Sequence, residues 1–201
     1  MTINRQQFEQ HLFAPDSSFE VLLRGHLWTE SLINQLLDIA AVDSGALDLD
    51  RIGFRQKVDI AQAFGLIQRR DGHALRTMNR LRNRLTRNLD AVPTDDDVLD
   101  LETKLGGSVR SAFDAVIQSA SSKEPTDSAL VRLRYWFFCY AMYLDFLAAK
   151  RKYEEENELK LLQVAAIRYA AKNYNRQQVS EDEARRRVGL PDPPNPADSW
   201  R

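Results

Sequence analysis

The sequence predicts an all-α fold, a helical bundle with an additional C-terminal helix and a disordered tail. Three observations carry that expectation. Apolar residues recur at i, i+3, i+4 and i+7 in one segment after another, no segment alternates at the two-residue period of a strand, and the breaks between segments carry helix-capping chemistry. With 201 residues, 43% of them hydrophobic and 28% charged, the chain is long enough to bury one sizeable core without staples. Its 28 basic and 29 acidic residues leave a net charge of -1, so any attraction to nucleic acid must come from local clustering. The lone cysteine, Cys139, excludes an intramolecular disulfide framework and a multi-cysteine zinc site. No apolar signal run opens the chain, and the run 135–149 is too short for a bilayer and carries Asp145. The expectation is a soluble, cytoplasmic protein with no membrane contact, no cofactor and no metal.

Residues 1–16 read as an N-terminal segment, 17–175 as the bundle domain, and 176–201 as a short helix with a Pro-rich tail. Ser17-x-x-Glu20 has the spacing of a reciprocal helix-start cap and precedes the apolar run Val21 to Ala41. Asp43 to Asp50 is a connection. Phe54, Val58, Ala61 and Phe64 then mark a short second helix that stops at Gly65. Asp71 caps a third, arginine-rich helix expected to run to about Leu89, before Pro93 breaks the pattern. Thr94-Asp95-Asp96-Asp97 opens a fourth, its acids complementing the helix dipole rather than marking a metal site. Gly106-Gly107 kinks or breaks that helix. After a linker at Ser121 to Asp127 comes the largest aromatic load, Tyr135 to Phe146, apolar nearly all round and therefore expected inside the bundle or at a dimer seam. Leu159 to Ala171 either continues that helix or packs as a final one. Ser180-x-x-Glu183 starts a last turn ending at Gly189, and the prolines from Pro191 to Pro196 forbid regular structure beyond it.

The third helix holds the most informative residue. At about 100° per residue, Leu75, Met78, Leu81, Leu85 and Leu89 form one apolar stripe, and Arg82 falls inside it. A guanidinium cannot shed its charge, so this position costs several kcal/mol unless it is paired, reaches water or meets a ligand. Arg76, Arg80, Arg84 and Arg87 gather on the opposite side. That is a candidate phosphate-contacting stripe with Asn88 beside it, or a solvated face that keeps the bundle soluble.

Arg24-Gly25-His26-Leu27-Trp28-Thr29-Glu30, the short helix from Phe54 to Ile67 and the run Met78-Asn79-Arg80-Leu81-Arg82-Asn83 together resemble the HEPN superfamily, in particular the branch related to the mannitol operon repressor. The resemblance covers roughly residues 17–90. It implies an all-helical domain that forms homodimers and, in active members, cuts RNA without a metal. The family motif is an arginine, a polar residue and, four to six positions on, a histidine. Arg82 and Asn83 match its first two elements, and Arg87 stands where the histidine is expected. An arginine stabilises phosphate charge but does not exchange protons at neutral pH. His26 and Glu30 share one helix face at i and i+4, and the expectation is that they serve as packing or hydrogen-bonding partners of Arg82, with Glu30 as its carboxylate anchor.

Three functional classes follow. The first is a catalytically degenerate HEPN-like module acting in regulation or protein interaction, in a defence, toxin-antitoxin or transcriptional setting. The second is an RNA- or DNA-binding protein using the arginine-rich helix 75–89, and the third is a metal-independent endoribonuclease. A Gly-rich phosphate loop and a serine-nucleophile motif are both absent from the sequence.

Overall fold

Among the residues described by the computed structural model, 4–41, 43, 48–88, 90–121 and 128–176, every regular element is helical. The order is α1 (Arg5–Phe13), α2 (Ser18–Ala40), a single 3-10 turn (Leu49–Arg51), α3 (Phe54–Ala63), α4 (Arg69–Leu85), α5 (Asp95–Thr103), α6 (Gly107–Ala120) and α7 (Ala129–Arg176). None of these helices is long and apolar enough to cross a membrane. The chain divides into two compact units, Met1–Lys152 and Tyr153–Arg201. Where the sequence suggests a bundle over 17–175, the division falls at Lys152, within α7. The expected turn near Ser180 and the Pro-rich tail lie outside the described residues.

In the first unit α2 packs against α1, α3 and α4. The buried positions of α2, Val21, Leu22, Gly25, His26, Thr29, Leu32, Ile33, Leu36 and Leu37, form one stripe at helical spacing. Ser17 is the residue before the helix, as its spacing predicts, but its side chain makes no cap hydrogen bond, and Glu20 instead pairs with Arg24 at 2.5 Å. α1 carries only two buried residues, Phe8 and Leu12, which is too weak a period to read as a helix from sequence. Both are fully buried, and Phe8 meets Trp28 edge-on at 5.4 Å. Gly65, at φ 69°, ends the α3 segment in the left-handed region, and the Leu66 N–H donates to Ala61 O at 2.9 Å across the turn.

α4 begins two residues before Asp71, which therefore sits inside its first turn. The Asp71 carboxylate accepts from the Gln68 N–H at 3.1 Å and also from the hydroxyls of Tyr143 at 3.1 Å and Tyr140 at 3.4 Å. This buried carboxylate ties the start of α4 to α7. The other end of α4 is shorter than expected. It stops at Leu85, because Asn88 turns the chain by accepting from the Asp90 N–H at 3.2 Å; Leu89 itself lies outside the described residues. The expected break is complete: α5 ends at Thr103 and α6 starts at Gly107, with Gly106 as the residue before it. Thr94 and Asp97 cap α5 reciprocally. Buried Glu102 holds Arg132 of α7 through two hydrogen bonds, at 2.7 and 2.5 Å.

Most of the aromatic half of α7 packs into this core, with Phe146 left exposed. Trp136, Phe137, Tyr140 and Leu144 are all buried, so the aromatic density requires no dimer seam to explain it. The Phe137 ring lies directly on the backbone of α2 at Gly25, where a β-carbon would come within 2.4 Å of ring atoms. A glycine inside a helix normally costs about 1 kcal/mol relative to alanine, so close approach is the reason for this one. Gly25→Ala is therefore expected to destabilise the first unit by about 1–3 kcal/mol through overpacking, seen as a lowered Tm in thermal unfolding. An unchanged or raised Tm, as helix propensity alone predicts, would remove the contact from the account.

Candidate functional site

The residues around Arg82 form one polar cluster where α2, α3 and α4 meet. α2 supplies His26 and Glu30 one turn apart, α3 supplies Lys57, and α4 supplies Asn79, Arg82 and Asn83. The His26 ring is only 1% exposed and rests against the Phe54 ring, with centroids 4.5 Å apart. Its Nε2 lies 3.2 Å from Asn79 Oδ1 and 3.4 Å from Arg82 Nη2. A neutral imidazole carries one hydrogen, so Nε2 either donates to Asn79 or accepts from Arg82. The second guanidinium arm of Arg82 donates to Asn83 Oδ1 at 2.9 Å. Arg82 is half-buried and engaged, as its place in the apolar stripe requires.

The expected anchor is corrected by this geometry. Glu30 does not hold Arg82; its Oε1 accepts from Lys57 Nζ at 2.6 Å, and its other oxygen lies 3.9 Å from His26 Nδ1. Lys57 is 3% exposed, an ammonium that the interior tolerates only with a carboxylate beside it, so Glu30 answers the more deeply buried cation. Arg82 takes neutral partners in its place. Burial pushes the His26 pKa below its ordinary 6.5, and the neighbouring Arg82 charge pushes the same way, against the smaller pull of Asn79 and Glu30. His26 is thus a neutral, enclosed ring.

The motif position Arg87 lies beyond the end of α4 and is exposed, so it shares no helix with Arg82 and does not extend the basic stripe of α4. Asn88 spends its side-chain oxygen on the Asp90 N–H. Of the proposed basic stripe, Arg76 donates to Asp59 at 2.6 Å and to Gln62 at 3.1 Å, and Arg84 donates to Asp97 at 2.5 Å. Partial burial works against the Asp97 carboxylate, but the Arg84 and Thr94 hydrogen bonds hold its pKa below the ordinary value. Arg80 bonds Thr77 in its own turn at 2.8 Å. The unneutralised charge sits earlier in the helix. Arg69, Arg70, His73 and Arg76 line an open cleft of about 480 Å³ with no carboxylate in its wall. By contrast, the cleft between α4 and α5, about 170 Å³, contains Asp97 and Asp100 beside Arg80 and Arg84.

Lys57 and Asn79 escaped the sequence reading, yet a signal for Lys57 was present. It lies on the same face as Phe54, Val58 and Ala61, the same displacement that singles out Arg82. Among the described residues no group of three or more His, Cys, Asp or Glu side chains could hold a metal ion. Comparison with protein-family models, curated proteins and solved structures finds no match to this chain.

The lowered His26 pKa has a definite sign in stability. Below pH about 6.5 the unfolded chain takes up a proton at this residue that the folded chain refuses. The stability that His26 contributes is therefore complete above pH 6.5 and is lost as pH falls toward the lowered folded pKa. Denaturant unfolding at pH 7.5 and pH 5.5 is expected to show a larger drop for the wild type than for His26→Gln. Equal drops would mean that the ring titrates freely in the folded state.

Proposed function

We propose that this chain is a catalytically silent HEPN-like helical module with a regulatory or protein-interaction role. The observation that carries this reading is the enclosure of His26. The one histidine beside Arg82 is 1% exposed and already bonded, so it presents no nitrogen to a substrate hydroxyl. The residue at the motif's histidine position, Arg87, is a permanent cation that neither accepts nor gives up a proton near neutrality. Arg82 and Asn83 then persist as a structural pair, bonded to each other within α4, with Arg82 reaching His26 of α2. A regulatory module in a defence, toxin-antitoxin or transcriptional setting fits these properties, as does a reducing, cytoplasmic location for a chain whose single thiol is buried. Structured RNA incubated with the purified protein in chelator is expected to stay intact, beside an Arg82→Ala control that behaves identically. Cleavage by the wild type that disappears in Arg82→Ala would establish the ribonuclease reading in its place.

The cleft at the start of α4 supports a second reading, contact with a nucleic-acid backbone. Arg69 and Arg70 sit in the first turn of a helix, where the dipole disfavours cations, and no ion pair among the described residues relieves them. His73 and Arg76 complete the wall, and since Arg76 is already held by Asp59 and Gln62, Arg69 and Arg70 are the donors that a phosphate chain would satisfy. This moves the contact from 76–87 to 69–76. If the reading holds, the protein binds RNA or DNA with an affinity that falls steeply between 50 and 200 mM salt, and Arg69→Glu/Arg70→Glu weakens binding about tenfold or more and flattens the salt slope. Binding that the double charge reversal leaves unchanged would exclude this face.

A further inference from the structure

We propose that the second unit's helical segment, residues 153–176 of α7, self-associates with the same segment of a second copy in antiparallel orientation. Seven large apolar side chains of this segment, Tyr153, Leu159, Leu161, Leu162, Val164, Ile167 and Tyr169, are exposed. That density far exceeds the scattered single hydrophobics of an ordinary surface. Four positions form a seam: Leu159, Leu162, Ala166 and Tyr169 repeat at 0, +3, +7 and +10 and fall within an arc of about 80°. At three of them more than half of the side chain's surface is in solvent, with exposures of 56% for Leu159, 61% for Leu162 and 71% for Tyr169.

The seam is its own complement. Reversing the helix about residue 164 sets Leu159 opposite Tyr169 and Leu162 opposite Ala166, so each layer of the antiparallel pair joins one position of the repeat to the other. The pairing of Leu162 with Ala166 also matches a large residue to a small one. Charge selects the same direction. The sequence is acidic at Glu154, Glu155, Glu156 and Glu158 and basic further on, at Arg168, Lys172 and Arg176. About the same centre an antiparallel pair sets Glu156 of one copy opposite Lys172 of the other and brings Glu154, Glu155 and Glu158 alongside that basic end, at the cost of facing Lys160 with Arg168, whereas a parallel pair sets every charge against its own copy. A second copy of this chain is therefore the occupant that both register and charge specify. This inference does not depend on the catalytic or nucleic-acid readings.

Light scattering of the full chain at micromolar concentration is expected to give a dimer. Leu159→Glu/Leu162→Glu should raise its dissociation constant about 100-fold or more, with the bundle's thermal unfolding unchanged, since both positions are exposed in the monomer. Spin labels at Tyr153→Cys report orientation. Eleven residues from the centre, they lie about 33 Å apart in an antiparallel pair and about 10 Å apart in a parallel one. A wild-type chain that remains monomeric, including one whose residues 177–201 cover this face from the same molecule, overturns the proposal. So does a dimer indifferent to the two glutamates, or a short label distance.

Discussion

Burying an imidazole between three helices leaves little freedom in how those helices meet. His26 is buried against Phe54 of α3, and beside it in the chain Gly25, having no side chain, lets Phe137 close over the backbone of α2. Once inside, the ring requires a polar neighbour, and Asn79 with Arg82 provide one from α4. One turn further along α2, Glu30 meets the buried ammonium of Lys57 from α3. The junction thus joins apolar closure on one side of α2 to a satisfied polar cluster on the other. Removing one partner of a buried ion pair costs about 3–5 kcal/mol where it is fully desolvated, and less here because Glu30 keeps a quarter of its side chain in solvent. These contacts act as fasteners between helices, and their chemical groups are spent in that role.

The α4 helix separates two kinds of charge. Arg82 lies on the inner side and is matched by neutral acceptors. Arg76 and Arg84 lie on the outer side and are matched by carboxylates of α3 and α5. Its first turn keeps Arg69 and Arg70, which line a cleft with no carboxylate, at the end of the helix where the backbone dipole least favours cations. A similar contrast runs along α7. Its first half buries Trp136, Phe137 and Tyr140, while residues 153–169 expose leucines, valine, isoleucine and tyrosine.

Much of this was legible in the sequence, for reasons that differ by element. The helical class followed from periodicity, and Phe54, Val58 and Ala61 place α3 to within a residue or two because Gly65 supplies a clear stop. α1 was not visible, since two buried side chains in nine residues make no stripe. The end of α4 was misplaced because Thr86-Arg87-Asn88 continues helical spacing on paper while Asn88 closes a turn in space. Arg82 was found by its displacement into an apolar face, but its partner was misassigned. An i, i+4 pairing of His26 with Glu30 shows which groups share a face; it does not show that a buried lysine from a different helix competes for the carboxylate. The position of Asp71 predicts a cap, whereas its hydroxyl partners Tyr140 and Tyr143, some 70 residues on, carry no local signal at all.

The account rests on an imidazole that stays neutral because burial, and after it the fixed guanidinium of Arg82, disfavour its charged form. Imidazole nitrogen NMR of His26 between pH 5 and pH 8 tests this directly, in the wild type and in Arg82→Leu. The account predicts a neutral single tautomer through the neutral range, a midpoint below the ordinary 6.5, and a rise of that midpoint when the guanidinium is removed. A ring that titrates at 6.5 in both proteins would contradict it, placing His26 in water and within reach of a substrate.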